Sequence, residues 1–170
     1  MKSNDRFKWA ADVMDINSKD HILEVGCGVG FAVEAILPLL DTGTITAIDK
    51  SPTAINRAIL RNKNGIALKK VTFLQLELLH LPKQSHKYNK ILCFNINFFW
   101  TNDSIARESQ VIKSILARRG QLYICYGPLI RTDWQKMANT ISASLTREKF
   151  KVGDIAYSDT LNCFYVSATL

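Results

Sequence analysis

The sequence holds little that could bind a metal or cross-link the chain. Its four cysteines, Cys27, Cys93, Cys125 and Cys163, are widely spaced, form no Cys-x-x-Cys pair and have no histidine cluster to join. Neither a zinc site nor a disulfide framework is indicated, and no metal is expected. Each cysteine falls in or beside an apolar run that reads as a buried strand, so all four are expected to be small reduced core side chains. Long hydrophobic runs are also missing. The longest uncharged stretch, from Ile91 to Asn102, contains three asparagines and is too short to span a bilayer. The first twenty residues interleave Lys2, Asp5, Arg6, Lys8, Asp12 and Asp15 with apolar types, which excludes the unbroken apolar core of a secretory signal. A soluble, cytoplasmic protein with no membrane contact is expected. No repeat, low-complexity tract or Pro/Gly/Ser linker divides the chain, so a second folded domain is not expected.

What is present suits one α/β unit. A length of 170 residues with 47% hydrophobic content supplies a full core. The formal charge of +7 comes partly from two basic groups, Arg57, Arg61, Lys63, Lys69 and Lys70, then Lys83, Lys87 and Lys90. Arg57 and Arg61 stand four apart, on one helical face opposite Ile55 and Ile59. That pattern reads as an ordinary solvated face in preference to a nucleic-acid patch.

Strand and helix signals alternate along the chain. His21 to Val25 is a short apolar run ending in glycines, followed by a helix from Phe31 to Leu37 that stops near Pro38. Thr44 to Ile48 is β-branched and apolar, hence a strand. Ser51 and Pro52 supply an N-cap and a first-turn proline for a helix reaching about Asn64 and Gly65. Val71 to Leu76 and Ile91 to Asn95 read as buried strands on either side of a loop marked by Pro82. Ile105, Val111, Ile112, Ile115 and Leu116 share a helical face, with Gly120 as its C-terminal stop. Gln121 to Tyr126 is a fifth strand, and Thr132 with Gln135 forms a capping box for a helix running to about Arg147. Phe150 to Tyr157 and Leu161 to Leu170 are joined by only three residues, too few for a parallel crossover, so they form an antiparallel hairpin. The expected architecture is a mostly parallel sheet with one reversed strand.

The informative loop follows the first strand. Glycines at 26, 28 and 30 remove β-carbons where a ligand and the next helix must approach the backbone. A dinucleotide fingerprint counted from Gly26 would place a third small residue where Phe31 stands, which argues against NAD. No Gly-Lys-Ser/Thr follows to grip phosphates, and no Gly-x-Ser-x-Gly elbow occurs.

The run Leu23-Glu24-Val25-Gly26-Cys27-Gly28-Val29-Gly30 resembles motif I of the class I S-adenosylmethionine-dependent methyltransferases. The similarity continues through Ala47-Ile48-Asp49-Lys50-Ser51-Pro52, Phe73-Leu74-Gln75-Leu76-Glu77 with Leu81-Pro82, and Tyr88-Asn89-Lys90-Ile91, covering residues 21 to 95. The resemblance implies a Rossmann-like α/β fold with a seven-stranded, mostly parallel sheet, a C-terminal antiparallel hairpin and helices on both faces. Residues 1–20 would be a short helical lead, 21–127 the cofactor-binding core and 128–170 the C-terminal helix and hairpin.

It also implies S-adenosyl-L-methionine as cofactor and a set of roles. Asp49, 23 positions beyond Gly26, would hold both ribose hydroxyls, since a carboxylate accepts two hydrogen bonds readily. Glu77, where the family commonly has aspartate, would accept from the adenine amino group, with the Leu78 backbone facing the ring. Glu24 would meet the methionine ammonium, while Gly26, Cys27, Gly28 and Gly30 form the seat. Lys50 replaces a frequent aliphatic residue, and its methylene stem would cover the adenine face. Asn95 ends the fourth strand near the reacting methyl group and would orient it or tie down the adjoining loop. Methyl transfer is an in-line displacement that alignment alone can accelerate, so no dedicated catalytic residue is required. His80, His86 or Tyr126 would assist an acceptor that must lose a proton. Phe98, Phe99 and Trp100 would form either an aromatic acceptor wall or core.

The acceptor is expected to be a small molecule. Neither an Asn-Pro-Pro-Tyr signature nor a Pro-Cys pair for nucleic-acid methylation follows the fourth strand. RNA or protein methylation and a non-catalytic cofactor-binding scaffold stand as alternatives, with a nicotinamide-dependent oxidoreductase behind them. With so short a lead, the acceptor site would be open or completed by another copy of the chain.

Overall fold

A computed structural model describes residues 4–82, 86–128 and 134–170. The chain opens with helix α1 (Asp5–Val13) and reaches strand β1 (His21–Val25), whose residues beyond His21 are all buried. Parallel neighbours flank β1 on both sides, β2 (Thr44–Asp49) and β4 (Tyr88–Phe94). A strand in that position is covered on both faces and needs a continuous apolar run. Beyond β2 lies β3 (Val71–Gln75), and beyond β4 lies β5 (Leu116–Tyr126). The hairpin of β6 (Lys151–Ser158) and β7 (Cys163–Thr169) completes a seven-stranded sheet of order β3-β2-β1-β4-β5-β7-β6. Only β7 is reversed, inserted between β5 and β6 and antiparallel to both. The expected Rossmann-like α/β architecture is therefore the one observed.

Strand alternation feeds two cores, one on each face. Leu23, Val25, Ile91, Cys93, Leu122 and Ile124 point to the side covered by α6 (Ala106–Ile115) and α7 (Trp134–Arg147). Ile22, Ile45, Ala47, Leu92, Phe94 and Cys125 point to the side covered by α1 and α2 (Phe31–Ile36). All four cysteines are buried free thiols, as the sequence indicated. No helix among the described residues is long and apolar enough to cross a membrane.

Three local expectations change. The helix opened by Ser51 and Pro52 breaks at Asn62 into α3 (Pro52–Arg61) and α4 (Lys63–Ala67). Ser51 is its N-cap, accepting from the Ala54 N–H at 3.2 Å, yet the buried residues are Ile55, Ala58 and Asn62, with Ile59 39% exposed. Gly120 does not stop α6, which ends at Ile115 and passes straight into β5. The register slips there, Leu116 pairing with Tyr88 and Gln121 with Lys90. A β-carbon on Gly120 would lie 2.9 Å from the Tyr88 carbonyl oxygen, so its glycine serves strand approach. The fourth strand also begins earlier than expected, at Tyr88. Thr132 of the proposed capping box and Lys83 of the basic group lie outside the described residues.

Candidate functional site

The order β3-β2-β1-β4 makes the carboxyl ends of β1, β2 and β4 neighbours, with Val25 beside both Ile48 and Cys93. The chain leaves β1 toward one side of the sheet and returns at β4 on the other, the arrangement that opens a crevice at a strand end. A cavity of about 600 Å³ lies there, a volume typical of small-molecule sites. Gly26, Asp49, Lys50, Glu77, Leu78 and Asn95 line it. Of the expected site residues, Glu24, Cys27, Gly28 and Gly30 stay outside the lining and build or underlie the loop.

The loop is held from below by the Ile48 carbonyl, which accepts the Gly26 and Cys27 N–H groups at 2.8 and 2.9 Å. The Gly30 N–H bonds to the Cys27 carbonyl at 2.9 Å and closes a tight turn. Gly28 (φ +52°) has open space where a β-carbon would stand. At Gly30 (φ +79°) a β-carbon would lie 2.6 Å from Asn62 Nδ2 and 3.0 Å from Ala58, so this glycine brings α3 against the loop. Cys27 is buried, its Sγ 3.7 Å from the Gly28 carbonyl oxygen.

Asp49 closes β2 and links the two halves of the site. Its Oδ2 accepts the Gly28 N–H and its Oδ1 the Ser51 N–H, each at 2.8 Å. A carboxylate has about four acceptor positions, so further capacity remains on each oxygen. Glu24 is 2% exposed, and its Oε2 accepts no hydrogen bond among the described residues. Burial, with the neighbouring Asp49 charge adding to it, pushes the Glu24 carboxyl up to about 8, against some support of the ionised form by the Val33 backbone.

Asn95 (φ +58°) follows the last residue of β4, just beyond the strand that it was expected to end, with its amide committed: Nδ2 donates to the Gly127 carbonyl and Oδ1 accepts the Gly127 N–H, both at 3.0 Å. That geometry ties the ends of β4 and β5 together. The aromatic trio opens the short helix α5 (Phe98–Thr101) and divides. Phe98 lines the cavity, while Phe99 is fully buried and Trp100 packs edge-on to Tyr126. Tyr126 is itself buried, its hydroxyl donating to the Ile96 carbonyl and its acidity suppressed by burial. It is a fixed structural group, contrary to a role as proton acceptor. His86 packs against His21, ring centroids 4.5 Å apart, at the opening of β1 and thus at the opposite end of that strand from the cavity. It cannot assist there. His80 closes a 3-10 turn (Leu78–His80) whose Leu78 and Leu79 line the cavity, while His80 itself is not in the lining.

Four lining residues carry no sequence signal of their own: Leu79, Ile96, Asn97 and Glu108. Glu108 lies in the first turn of α6, a helix that packs against the 3-10 turn after β3. Among the described residues the lining thus holds the carboxyl groups Asp49, Glu77 and Glu108 against the ammonium of Lys50, in a chain of net charge +7. Such a wall favours a cationic ligand.

Comparison with known proteins agrees with this geometry. A family model described as a methyltransferase domain matches residues 22–120, more than half of the chain. A malonyl-[acyl-carrier protein] O-methyltransferase of Acetivibrio thermocellus is 30% identical over 107 residues, covering 61% of this chain and 35% of that protein. The chain spans about a third of the length of the curated relatives it matches. Among solved structures, a SAM-dependent methyltransferase from Aquifex aeolicus superposes with a TM-score of 0.77 at 18% identity, over 95% of this chain and 88% of that one. A magnesium protoporphyrin IX methyltransferase from Synechocystis PCC 6803, solved with bound SAM, gives 0.71 at 15% identity, over 98% and 77%.

Proposed function

Because the chain belongs to the class I S-adenosylmethionine-dependent methyltransferases, within the methyltransferase-domain family, we propose that it transfers a methyl group from S-adenosylmethionine to a small-molecule acceptor. The observation that carries this reading is the contact of Asp49 Oδ2 with the Gly28 N–H at 2.8 Å. It sets a carboxylate with spare acceptor capacity against the glycine loop, at the mouth of a cavity lined mainly by acidic and apolar groups.

The residues present fit the cofactor. Glu24 Oε2 is buried beside Asp49 with no hydrogen bond among the described residues, and a ligand ammonium would satisfy it. Asp49 would hold the ribose hydroxyls, Glu77 and Leu78 the adenine edge, and the Lys50 stem its face. When bound, S-adenosylmethionine supplies an electrophilic methyl group on a sulfonium. Asn95, locked to Gly127, fixes the wall at the end of β4 so that Ile96 and Phe98 present an apolar surface there. Their part is to exclude water and align the acceptor, which an in-line displacement rewards. Asn97, Phe98 and Glu108 lie on the β4 and α6 side of the cavity and are assigned to the acceptor end. A flat or cationic small molecule suits this pairing of a ring with a carboxylate.

Titration with S-adenosylhomocysteine tests the assignment. Loss of the Asp49 hydrogen bonds in Asp49→Ala should weaken binding about 10- to 100-fold, the scale of bonds to a charged group. Unchanged affinity would remove Asp49 from the site.

A further inference from the structure

The last turn of α3 grips the outer side of the glycine loop. Arg61 Nε donates to the Val29 carbonyl at 3.0 Å, and its guanidinium lies 3.7 Å from the centroid of the Phe31 ring. Next to it, buried Asn62 donates from Nδ2 to the Gly30 carbonyl at 3.0 Å and to the Ala58 carbonyl at the same distance. Val29 and Gly30 of the loop and Phe31 at the start of α2 are therefore held by two consecutive residues of the α3 end. The inner side of the same turn is the Gly28 N–H that meets Asp49. Asp49 in turn accepts the N–H of Ser51, the N-cap of α3. Helix α3 thus braces the site at both its ends.

We propose that Arg61 is a positioning residue for the cofactor loop, fixing the Val29–Gly30 peptide so that the Gly28 N–H and Asp49 are preset for the ribose. The proposal rests on the cofactor reading above. Arg61 restrains the carbonyl side of a peptide whose N–H already bonds to the Cys27 carbonyl, in a turn where Gly28 and Gly30 both sit at positive φ. Holding one conformation in advance lowers the ordering cost of binding. The ion pair of Arg61 with Glu34 does not explain the arrangement. It is 3.3 Å long between side chains 31% and 50% exposed, and pairs of that kind contribute little. The fork of a guanidinium can donate to a carbonyl while stacking on a ring, and a lysine ammonium cannot reproduce both. Phe31, which breaks the dinucleotide pattern, supplies the ring.

The test compares the full chain with Arg61→Ala, Arg61→Lys and Glu34→Gln. Amide hydrogen exchange at Gly28 and Gly30 is followed by NMR, and S-adenosylhomocysteine affinity by calorimetry. Arg61→Ala is expected to speed exchange at both glycines about tenfold and to weaken the ligand by about tenfold, with a thermal midpoint near that of the parent. Arg61→Lys should fall between the two, and Glu34→Gln should match the parent. Either readout of Arg61→Ala staying at the parental value overturns the proposal, as does equal damage from Glu34→Gln, which would assign the effect to the ion pair. If the parent itself fails to bind S-adenosylhomocysteine, the cofactor reading falls and this role falls with it, while the exchange rates still decide whether Arg61 holds the loop.

Discussion

The δ-methyl group of Ile96 occupies the place that a β-carbon on Gly26 would take. The first glycine of the loop therefore lies in contact with the far end of a neighbouring side chain, and its φ of +71° is what most favours glycine there. Ile96 is held in that position from behind, its carbonyl bonded to the Tyr126 hydroxyl and its neighbour Asn95 to Gly127.

Gly26→Ala should cost stability mainly through the backbone. Its φ of +71° is a conformation that side chains resist, by about 1–2 kcal/mol, while the new methyl would meet the terminal methyl group of Ile96, a flexible side-chain end that can turn aside within the cavity it lines. Chemical denaturation should show a destabilisation of about 1–2 kcal/mol. In a double-mutant cycle Ile96→Ala should recover little of that loss. Recovery of most of it would show that Ile96 cannot yield.

Glu24 gives the protein an unusual pH response. The carboxyl stands at about 8 when folded, against an ordinary value of 4.5. Between those values the unfolded chain has released the proton that the folded chain keeps, so the unfolded state binds fewer protons and stability falls as pH rises from about 5 to 8. The contribution should approach about 1 kcal/mol per pH unit. Unfolding free energies measured across that range should decline for the parent relative to Glu24→Gln. A parallel pair of curves would mean that Glu24 is already ionised.

The same group predicts proton release on ligand binding. A ligand ammonium beside Glu24 favours its ionised form, so S-adenosylhomocysteine binding at pH 7 should expel a proton. Calorimetry in buffers of different ionisation enthalpy should detect it, and Glu24→Gln should abolish it. Binding heats independent of buffer would detach Glu24 from the ammonium.

Tyr126 separates a structural from a catalytic role. Tyr126→Phe removes a buried hydroxyl and leaves the Ile96 carbonyl without that donor, costing about 1–2 kcal/mol of stability. Ligand affinity should stay within about twofold, on the scale where tenfold is 1.4 kcal/mol. A variant with parental stability would contradict the hydrogen bond.

Much of this was legible in the sequence because local chemistry and tertiary need coincided. The run His21 to Val25, the cap at Ser51 and Pro52, and the short joint between the last two apolar runs point to a buried strand, a helix start and an antiparallel hairpin, and the structure has all three, with the joint at 159–162. Gly120 misled because a glycine after an apolar helical face looks the same whether it ends a helix or lets two strands approach. Arg61 read as a solvated charge, since nothing in a spacing of four reveals that Val29 and Phe31 lie beneath it. Glu108 and Ile96 were illegible for a similar reason. Their place in the cavity is set by how α6 docks on the turn after β3 and by which way β4 releases its last side chain, both properties of tertiary packing. His86 lay nearer in sequence to the fourth strand than Glu108, yet it sits at the wrong end of the sheet.

Competition between S-adenosylhomocysteine and NADH for the purified protein tests the central claim most directly. The geometry of Gly28, Asp49 and Glu24 predicts that S-adenosylhomocysteine binds at one site per chain and that NADH neither binds nor displaces it. Binding of NADH with no binding of S-adenosylhomocysteine would contradict the account.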